Sequence, residues 1–131
     1  MALNLLVVDD SAIMRRMIIR TLRVAGLSLR EIHEAGDGSE ALEKLASGDV
    51  DLALLDLNMP GMNGMTALER IREDPRTRDL PVVVVSTEGS ETRIQVVKNQ
   101  RARFLRKPFT PEALVAAVAD AIGGIDGDDV D

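Results

Sequence analysis

The segment Asp51-Leu-Ala-Leu-Leu-Asp-Leu-Asn-Met-Pro-Gly-Met-Asn-Gly64 decides the fold. Its apolar run at residues 52–55 is short, as in the buried strands of a parallel sheet. Asp56 places a carboxylate where this strand is expected to end, and the proline and glycines that follow direct the backbone into a loop. Open α/β sheets bind ligands beyond the carboxyl ends of their strands, so we expect Asp56 to lie in a functional site.

The composition predicts one soluble globular domain. The chain has 131 residues, 45% hydrophobic and 29% charged, and its two Phe are accompanied by no Trp or Tyr, which predicts an aliphatic core. The absence of cysteine excludes disulfides, thiolate metal sites and a cysteine nucleophile. The net charge of -6 argues against nucleic acid as the main partner. Without a basic leader or a membrane-length apolar run, we expect a cytoplasmic protein with no membrane contact.

Apolar strands and amphipathic helices alternate along the chain. The predicted strands cover residues 3–8, 31–35, 51–57, 81–86 and 102–106, and the predicted helices cover 14–25, 39–45, 65–73, 90–100 and 110–122. This alternation predicts an α/β fold, with a five-stranded parallel sheet flanked by five helices. Right-handed crossovers leave few topologies, and among them we adopt the order 2-1-3-4-5, which is a known order of doubly wound sheets. We expect one domain over residues 1–124 and an acidic, flexible tail at 125–131.

Three acids are expected to meet at one edge of this sheet. Asp9 and Asp10 follow the first strand, and Asp56 follows the third, its neighbour in the predicted order. Two unit charges about 4 Å apart repel by roughly 4 kcal/mol near a protein surface. Three such pairs approach roughly 10 kcal/mol, comparable to the whole stability of a small domain. The cluster therefore needs a proton or a hard divalent cation, and oxygen ligands suit Mg²⁺.

Two further polar residues end neighbouring strands. Lys107 follows the fifth strand and offers a positive charge, and Ser86 ends the fourth and offers a hydroxyl to an anion. Each of these residues alone is more often a cap, turn or surface residue. Their convergence on Asp56 favours a different interpretation: Asp56 is a nucleophile that accepts a phosphoryl group, and the surrounding residues position it and neutralise charge.

These residues together resemble the receiver domain of two-component response regulators. The resemblance rests on Val-Val-Asp9-Asp10-Ser, on Leu-Leu-Asp56-Leu-Asn-Met-Pro-Gly-Met-Asn-Gly, on Ser86 after a run of valines, and on Lys107-Pro-Phe. It covers residues 3 to about 122 in order and spacing. Within the family, the chain most resembles the single-domain, CheY-like chemotaxis regulators, which have a flavodoxin-like fold.

The resemblance implies a role for each site residue. Asp56 would take a phosphoryl group from a sensor histidine kinase in a Mg²⁺-dependent reaction. Asp10, Asp56 and the backbone carbonyl of Asn58 would bind Mg²⁺ directly, and Asp9 would bind it through water. Lys107 would pair with the phosphoryl group, and its bond to Pro108 is expected to be cis.

The resemblance also implies a switch. Ser86 would move to bind the phosphoryl group, and Phe104 would swing inward and change the surface of the fourth helix, fifth strand and fifth helix, to which a downstream protein binds. Asn58 and Glu88 stand at positions that tune the lifetime of the phosphoryl group. Thr87 stands where the family usually has a smaller residue, and its extra bulk would restrict entry of the water that removes the phosphoryl group. The chain would be a monomeric signalling protein, not an enzyme.

Other interpretations remain open. The chain could be a phosphorelay intermediate, or a receiver-like scaffold that works without phosphorylation. A phosphohydrolase with an aspartyl intermediate is disfavoured, because Asn58 stands where the second acid of its Asp-x-Asp motif would be. Residues 93–107 contain six basic residues and no acid. This basic segment is either a solvated face or a docking surface for an acidic partner.

Overall fold

The computed structural model describes residues 2–123, so the predicted tail at 125–131 lies outside the described part of the chain. Five strands alternate there with five helices. The strands are β1 (Leu3–Val8), β2 (Leu29–Ala35), β3 (Leu52–Leu55), β4 (Val82–Ser86) and β5 (Arg103–Arg106). The helices are α1 (Ala12–Val24), α2 (Gly38–Ser47), α3 (Gly64–Glu73), α4 (Glu91–Asn99) and α5 (Pro111–Ala121). None of these helices has the length and apolar character that a membrane span requires.

The strands form one parallel sheet in the order β2-β1-β3-β4-β5, which confirms the predicted fold. Alternate residues of β1 point to opposite faces: Leu5 packs with apolar residues of α1 and α5, and Leu6 with those of α2, α3 and α4. Every residue of β3 is buried because helices cover both faces. This double coverage is why the strand reads as a continuous apolar run instead of an alternating one.

Some predicted boundaries were wrong, and the helical periodicity did not show which apolar residues are buried. β2 begins at Leu29, two residues before its predicted start, and β3 ends at Leu55, so Asp56 lies just outside the strand. In α1 the buried face consists of Ile18, Ile19 and Leu22, whereas Met17 is 43% exposed. In α4 the buried residue is Val97, and Val96 is exposed. Both helices have apolar residues on more than one side, and packing against the sheet selects which side is buried.

The helices begin at the edge of the sheet where the strands end. Each of the five is capped by a side chain that accepts a hydrogen bond from the backbone N–H three residues later: Ser11, Asp37, Asn63, Ser90 and Thr110. A helix N-terminus carries partial positive charge from its unpaired N–H groups. The strand ends and helix starts therefore form one edge suited to anionic groups.

Gly64 lets the first turn of α3 lie directly against the backbone of the phosphoacceptor candidate. A Cβ atom at this position would stand 2.0 Å from the Asp56 carbonyl oxygen and 2.7 Å from the Leu57 Cα. The Gly64 N–H also donates to the Leu57 carbonyl at 3.0 Å. The constraint is therefore the close approach of two backbones and not an unusual backbone angle.

We expect Gly64→Ala to lower the free energy of unfolding by about 3 kcal/mol, because neither backbone can move away without disturbing the sheet. Gly48→Ala is the matched control: its nearest neighbours would be 3.8 Å away, so its stability should change by less than about 1 kcal/mol. Urea denaturation followed by circular dichroism measures both. Equal stabilities for the two variants would contradict the assigned role of Gly64.

Candidate functional site

The sheet register brings the acids of β1 and β3 together. Val8 pairs with Leu55, so the residues that follow them, Asp9 and Asp56, leave the sheet side by side. The Asp56 N–H continues the pairing and donates to the Val8 carbonyl at 3.0 Å. On the other side of Asp56, β4 ends at Ser86, whose carbonyl accepts from the Lys107 N–H at 2.9 Å. The four strand ends therefore meet at one edge, as the sequence predicts.

The three carboxylates form one cluster with unequal exposure. One oxygen from each of Asp9, Asp10 and Asp56 lies within 4.8 Å of the others. Asp9 and Asp56 are buried, with 2% and 6% of their surfaces exposed, whereas Asp10 is exposed. Two of the three negative charges are thus held away from water, and the third faces the solvent side of the cluster.

Lys107 lies between the two buried carboxylates. Its Nζ is 2.9 Å from Asp9 Oδ2 and 3.7 Å from Asp56 Oδ2, and its side chain is 13% exposed. The closer partner is therefore Asp9. The peptide bond between Lys107 and Pro108 is cis, which confirms that expectation from the resemblance.

The pKa of Asp56 is raised above its ordinary value. Burial is the largest cause, the Lys107 ammonium opposes it, and the neighbouring Asp9 carboxylate adds to the rise. A hydrogen bond from the Asn58 N–H to Asp56 Oδ1, at 3.4 Å, also favours the charged form. The protein alone thus leaves the ionised form of Asp56 less stable than in water.

The Ser86 hydroxyl is completely buried and already has two partners. Its Oγ accepts a hydrogen bond from Asn58 Nδ2 at 3.3 Å and one from the Glu88 N–H at 3.2 Å. The hydrogen bond from the Asn58 side chain to Ser86 was not predicted, although the resemblance places Asn58 beside the site. Thr87, between these residues in sequence, is exposed.

Phe104 lies on β5, away from the carboxylate cluster. It is half-buried and packs against the core formed with α2, α3 and α4. Phe104 also lines a groove on the face made by α4, β5 and α5, together with Lys98, Arg101, Ala102, Arg103, Ala116, Ala117 and Asp120. The predicted switch residue and half of the predicted basic segment therefore share one surface.

Sequence reasoning missed the contribution of Arg15, which lies on α1. Its Nη1 donates to the Asp9 carbonyl, and its Nε donates to Glu34 Oε1 on β2 at 2.8 Å. An arginine one turn after the Ser11 cap is the only sequence signal for this contact, and many surface arginines share it.

Comparison with known proteins agrees with the geometry. The response regulator receiver domain family matches residues 5–119. The chain is 38% identical over 123 residues to the chemotaxis protein CheY1 of Helicobacter pylori, covering 92% of this chain and 98% of that protein. It is 36% identical over 128 residues to the chemotaxis protein CheY of Pseudomonas aeruginosa, covering 95% of this chain and all of the relative.

Solved structures show the same fold. The chemotaxis response regulator CheY4 of Vibrio cholerae superposes with a TM-score of 0.81 at 34% identity, covering 92% of this chain and 99% of that one. CheY of Borrelia burgdorferi, solved in a complex with CheX, BeF3 and Mg²⁺, gives a TM-score of 0.81 at 27% identity, covering 90% and 87%. The chain therefore belongs to the response regulator receiver domain family, and its similar relatives include CheY chemotaxis proteins.

Proposed function

We propose that this chain is a CheY-like response regulator in chemotaxis that accepts a phosphoryl group on Asp56 from a histidine kinase. The observation that carries the proposal is the meeting of Asp9, Asp10, Asp56, Ser86 and Lys107 at one edge of the sheet. The CheY relatives, which the chain matches over nearly their full length, support the chemotaxis role.

The acidic cluster fits a magnesium ion. Hard cations bind oxygens at about 2.0–2.6 Å, so oxygens on opposite sides of one ion stand about 4–5 Å apart. The oxygens of Asp9, Asp10 and Asp56 lie within 4.8 Å of one another, and all are carboxylate oxygens. Asp10 and Asp56, with the Asn58 carbonyl, would bind the ion directly, and Asp9 would bind through water. The bound ion would neutralise charge on the carboxylates and on the phosphoryl oxygens.

The Asp56 carboxylate would act as the nucleophile. One of its oxygens forms a bond to phosphorus while the bond between phosphorus and the histidine nitrogen of the donor breaks. Lys107 Nζ, 3.7 Å from Asp56 Oδ2, is close enough to shift from Asp9 to the incoming phosphoryl oxygens. The chain positions groups and supplies charge; it turns over no separate substrate.

The phosphoryl group would then attract the Ser86 hydroxyl. Phosphorylation adds roughly -1.5 to -2 charge units, which favours hydrogen-bond donors that turn toward Asp56. Ser86 Oγ accepts from Asn58 Nδ2 and from the Glu88 N–H, so its O–H can still donate to a phosphoryl oxygen, and a turn of the side chain toward Asp56 would stretch both accepted bonds. Glu88 lies in the loop that leads to α4, so this change would reach α4 and the surface on which Phe104 lies.

The basic groove beside Phe104 is the surface we assign to the downstream partner. Lys98, Arg101 and Arg103 line it, and Arg103 Nε pairs with Asp120 at 2.8 Å on a solvent-exposed rim. Exposed ion pairs contribute little stability and are exchanged easily for a partner's charges. A partner with acidic residues around an apolar one would fit the groove.

Incubation with acetyl phosphate and Mg²⁺ should add one phosphoryl group to the wild-type chain, detected by intact-protein mass spectrometry. Asp56→Asn should not be modified, because an amide oxygen is too weak a nucleophile. Asp37→Asn is the control, since this acid caps α2 and lies outside the cluster; it should be modified like the wild type. Equal modification of Asp56→Asn and the wild type would contradict the assignment of the phosphoacceptor.

In Mg²⁺-free buffer at neutral pH, Asp56→Asn should have a higher free energy of unfolding than the wild type. The pKa of Asp56 is higher in the folded protein than in the unfolded chain. The protonated carboxyl therefore adds to the free energy of unfolding below the pKa of the unfolded chain. This contribution is lost as pH rises through the pKa of the folded protein. The advantage of the variant should therefore shrink as pH falls through the same range, in urea denaturation curves recorded across pH.

Adding Mg²⁺ at 100 times its dissociation constant should stabilise the wild type by about 2.7 kcal/mol and the Asp56→Asn variant by much less. Asp49→Asn is the control: Asp49 is exposed and precedes β3 at the opposite edge of the sheet, so the variant should respond to Mg²⁺ like the wild type. If Asp56→Asn has a lower free energy of unfolding than the wild type at every pH in Mg²⁺-free buffer, the explanation by the raised Asp56 pKa is contradicted.

Mg²⁺ with beryllium fluoride, a phosphoryl mimic, should shift the amide resonances of α4, β5 and α5 in ¹⁵N NMR spectra of the wild type. Ser86→Ala should still show shifts at Asp10 and Asp56 but lose most of those on α4 and β5. Ser47→Ala, an exposed serine at the end of α2, should behave like the wild type. Persistence of the distant shifts in Ser86→Ala would show that the signal takes another route.

A further inference from the structure

We propose that Arg15 is a positioning residue for the metal-binding carboxylates and that it acts through the backbone of Asp9. Glu34 holds the Arg15 guanidinium in the orientation that this contact needs. The inference rests on the proposed function, because it assigns Arg15 a role in the Mg²⁺ site. It adds a residue that neither the motifs nor the strand order indicates.

Arg15 connects three elements of the fold around the first two acids. It lies one turn into α1, where its N–H donates to the Ser11 carbonyl at 3.0 Å. Its Nη1 donates to the Asp9 carbonyl, and its Nε makes a 2.8 Å ion pair with Glu34 Oε1 on β2. The Arg15 side chain is only 18% exposed, so the guanidinium is enclosed while it makes both contacts.

Every other polar group of Asp9 has a hydrogen-bond partner within the protein, and Arg15 donates to the remaining one, the carbonyl. The Asp9 N–H donates to the Ala35 carbonyl at 3.1 Å, Oδ1 accepts from the Ser11 N–H at 2.9 Å, and Oδ2 accepts from Lys107 at 2.9 Å. With the carbonyl also held, the peptide group that joins Asp9 to Asp10 has a defined orientation.

The direction in which the Asp10 carboxylate points depends on the orientation of that peptide group. Asp10 is exposed, and it forms no ion pair with any residue between 2 and 123. The backbone on either side must therefore aim its carboxylate at the 4.8 Å cluster. Without the bond from Arg15, rotation of the Asp9–Asp10 peptide would carry the Asp10 carboxylate out of the cluster. Groups that orient metal ligands typically change metal affinity 10- to 100-fold when they are removed.

If Arg15 acted only through its charge, its removal would change Mg²⁺ affinity in the opposite direction. Arg15 is a cation near the acidic cluster, so its removal should strengthen Mg²⁺ binding if it acts only through electrostatics. Removal should weaken binding if it acts by holding Asp9 and Asp10. If Arg15 and Glu34 form merely a partly exposed ion pair, removal should cost a fraction of the stability and leave Mg²⁺ affinity unchanged. The direction of the change therefore separates the three explanations.

Arg16 provides a matched control within the same helix. It carries the same charge one residue further along, is exposed, and has no ion-pair partner among the described residues. Arg16→Ala thus removes a positive charge from the same turn of α1 without removing a side-chain hydrogen bond to the Asp9 loop. Arg15→Lys keeps the charge and can donate to the Asp9 carbonyl. A lysine has a single nitrogen, however, so it cannot contact Glu34 at the same time, as the two nitrogens of Arg15 do.

The test is Mg²⁺ titration by isothermal calorimetry of the wild type, Arg15→Ala, Arg15→Lys, Glu34→Ala and Arg16→Ala; the chain has no Trp or Tyr to serve as a fluorescent probe. We expect Arg15→Ala to raise the Mg²⁺ dissociation constant about ten-fold or more. Arg15→Lys should recover part of the loss, Glu34→Ala should be intermediate, and Arg16→Ala should bind as tightly as the wild type or slightly tighter. In ¹⁵N spectra of the Mg²⁺-free proteins, the Asp10 and Ser11 amides should shift in Arg15→Ala and not in Arg16→Ala.

A folded Arg15→Ala that binds Mg²⁺ as tightly as the wild type, or tighter, would overturn the positioning role, as would an equal weakening in Arg16→Ala. Should Arg15→Ala fail to fold, wild-type dissociation constants in both Arg15→Lys and Glu34→Ala would overturn it. A wild-type chain that binds no Mg²⁺ would refute the metal site of the proposed function itself. A wild-type chain that binds Mg²⁺ and becomes phosphorylated normally leaves the proposed function standing, whichever way Arg15 behaves.

Discussion

Lys107 is the one cation of the described chain that contacts both buried carboxylates, and the site depends on this arrangement. A buried charge is tolerated only when it is paired and hydrogen-bonded. Asp9 meets that condition through Lys107 and the Ser11 N–H, whereas Asp56 is 3.7 Å from the lysine and retains a raised pKa. One ammonium cannot balance three carboxylates. The imbalance makes the edge a place where a further cation, and then an anion bound to that cation, gains free energy.

The fold concentrates this imbalance of charge at one edge of the sheet. Parallel strands deliver their carboxyl ends, and capped helices their N-termini, to the same edge. Gly64 shows how tightly the edge is built, since α3 starts in contact with the Asp56 backbone and leaves no room for a Cβ atom. The backbone that carries Asp56 is thus fixed by packing, and the side chains around it can still exchange partners.

The two ends of α4 are held differently, which bears on how a change at Ser86 would spread. At the N-terminal end, Glu88 contacts Ser86 through its N–H and pairs with Arg93 at 3.4 Å. Beyond the C-terminal end, the partly buried Arg72 of α3 donates to the carbonyls of Gln100 and Leu80, each at 2.7 Å. Two backbone carbonyls held by one guanidinium are harder to displace than a single ion pair whose arginine is largely exposed. A rearrangement at Ser86 would therefore move the N-terminal end of α4 more than its C-terminal end.

The sequence by itself determined the α/β class and the position of Asp9, Asp56, Ser86 and Lys107 at strand ends, because apolar runs of strand length alternate with helical periodicity. That alternation leaves a few sheet orders, and the structure has the order β2-β1-β3-β4-β5. The structure confirmed that these strand ends converge; the chemical role of each residue rests on the proposed function. Only the tertiary structure decided that Met17 is exposed, because α1 has apolar residues on several sides and the sheet covers one. It also revealed Arg15, since its partner is a backbone carbonyl. Every residue carries a carbonyl, so no sequence pattern marks the one that a distant guanidinium will reach.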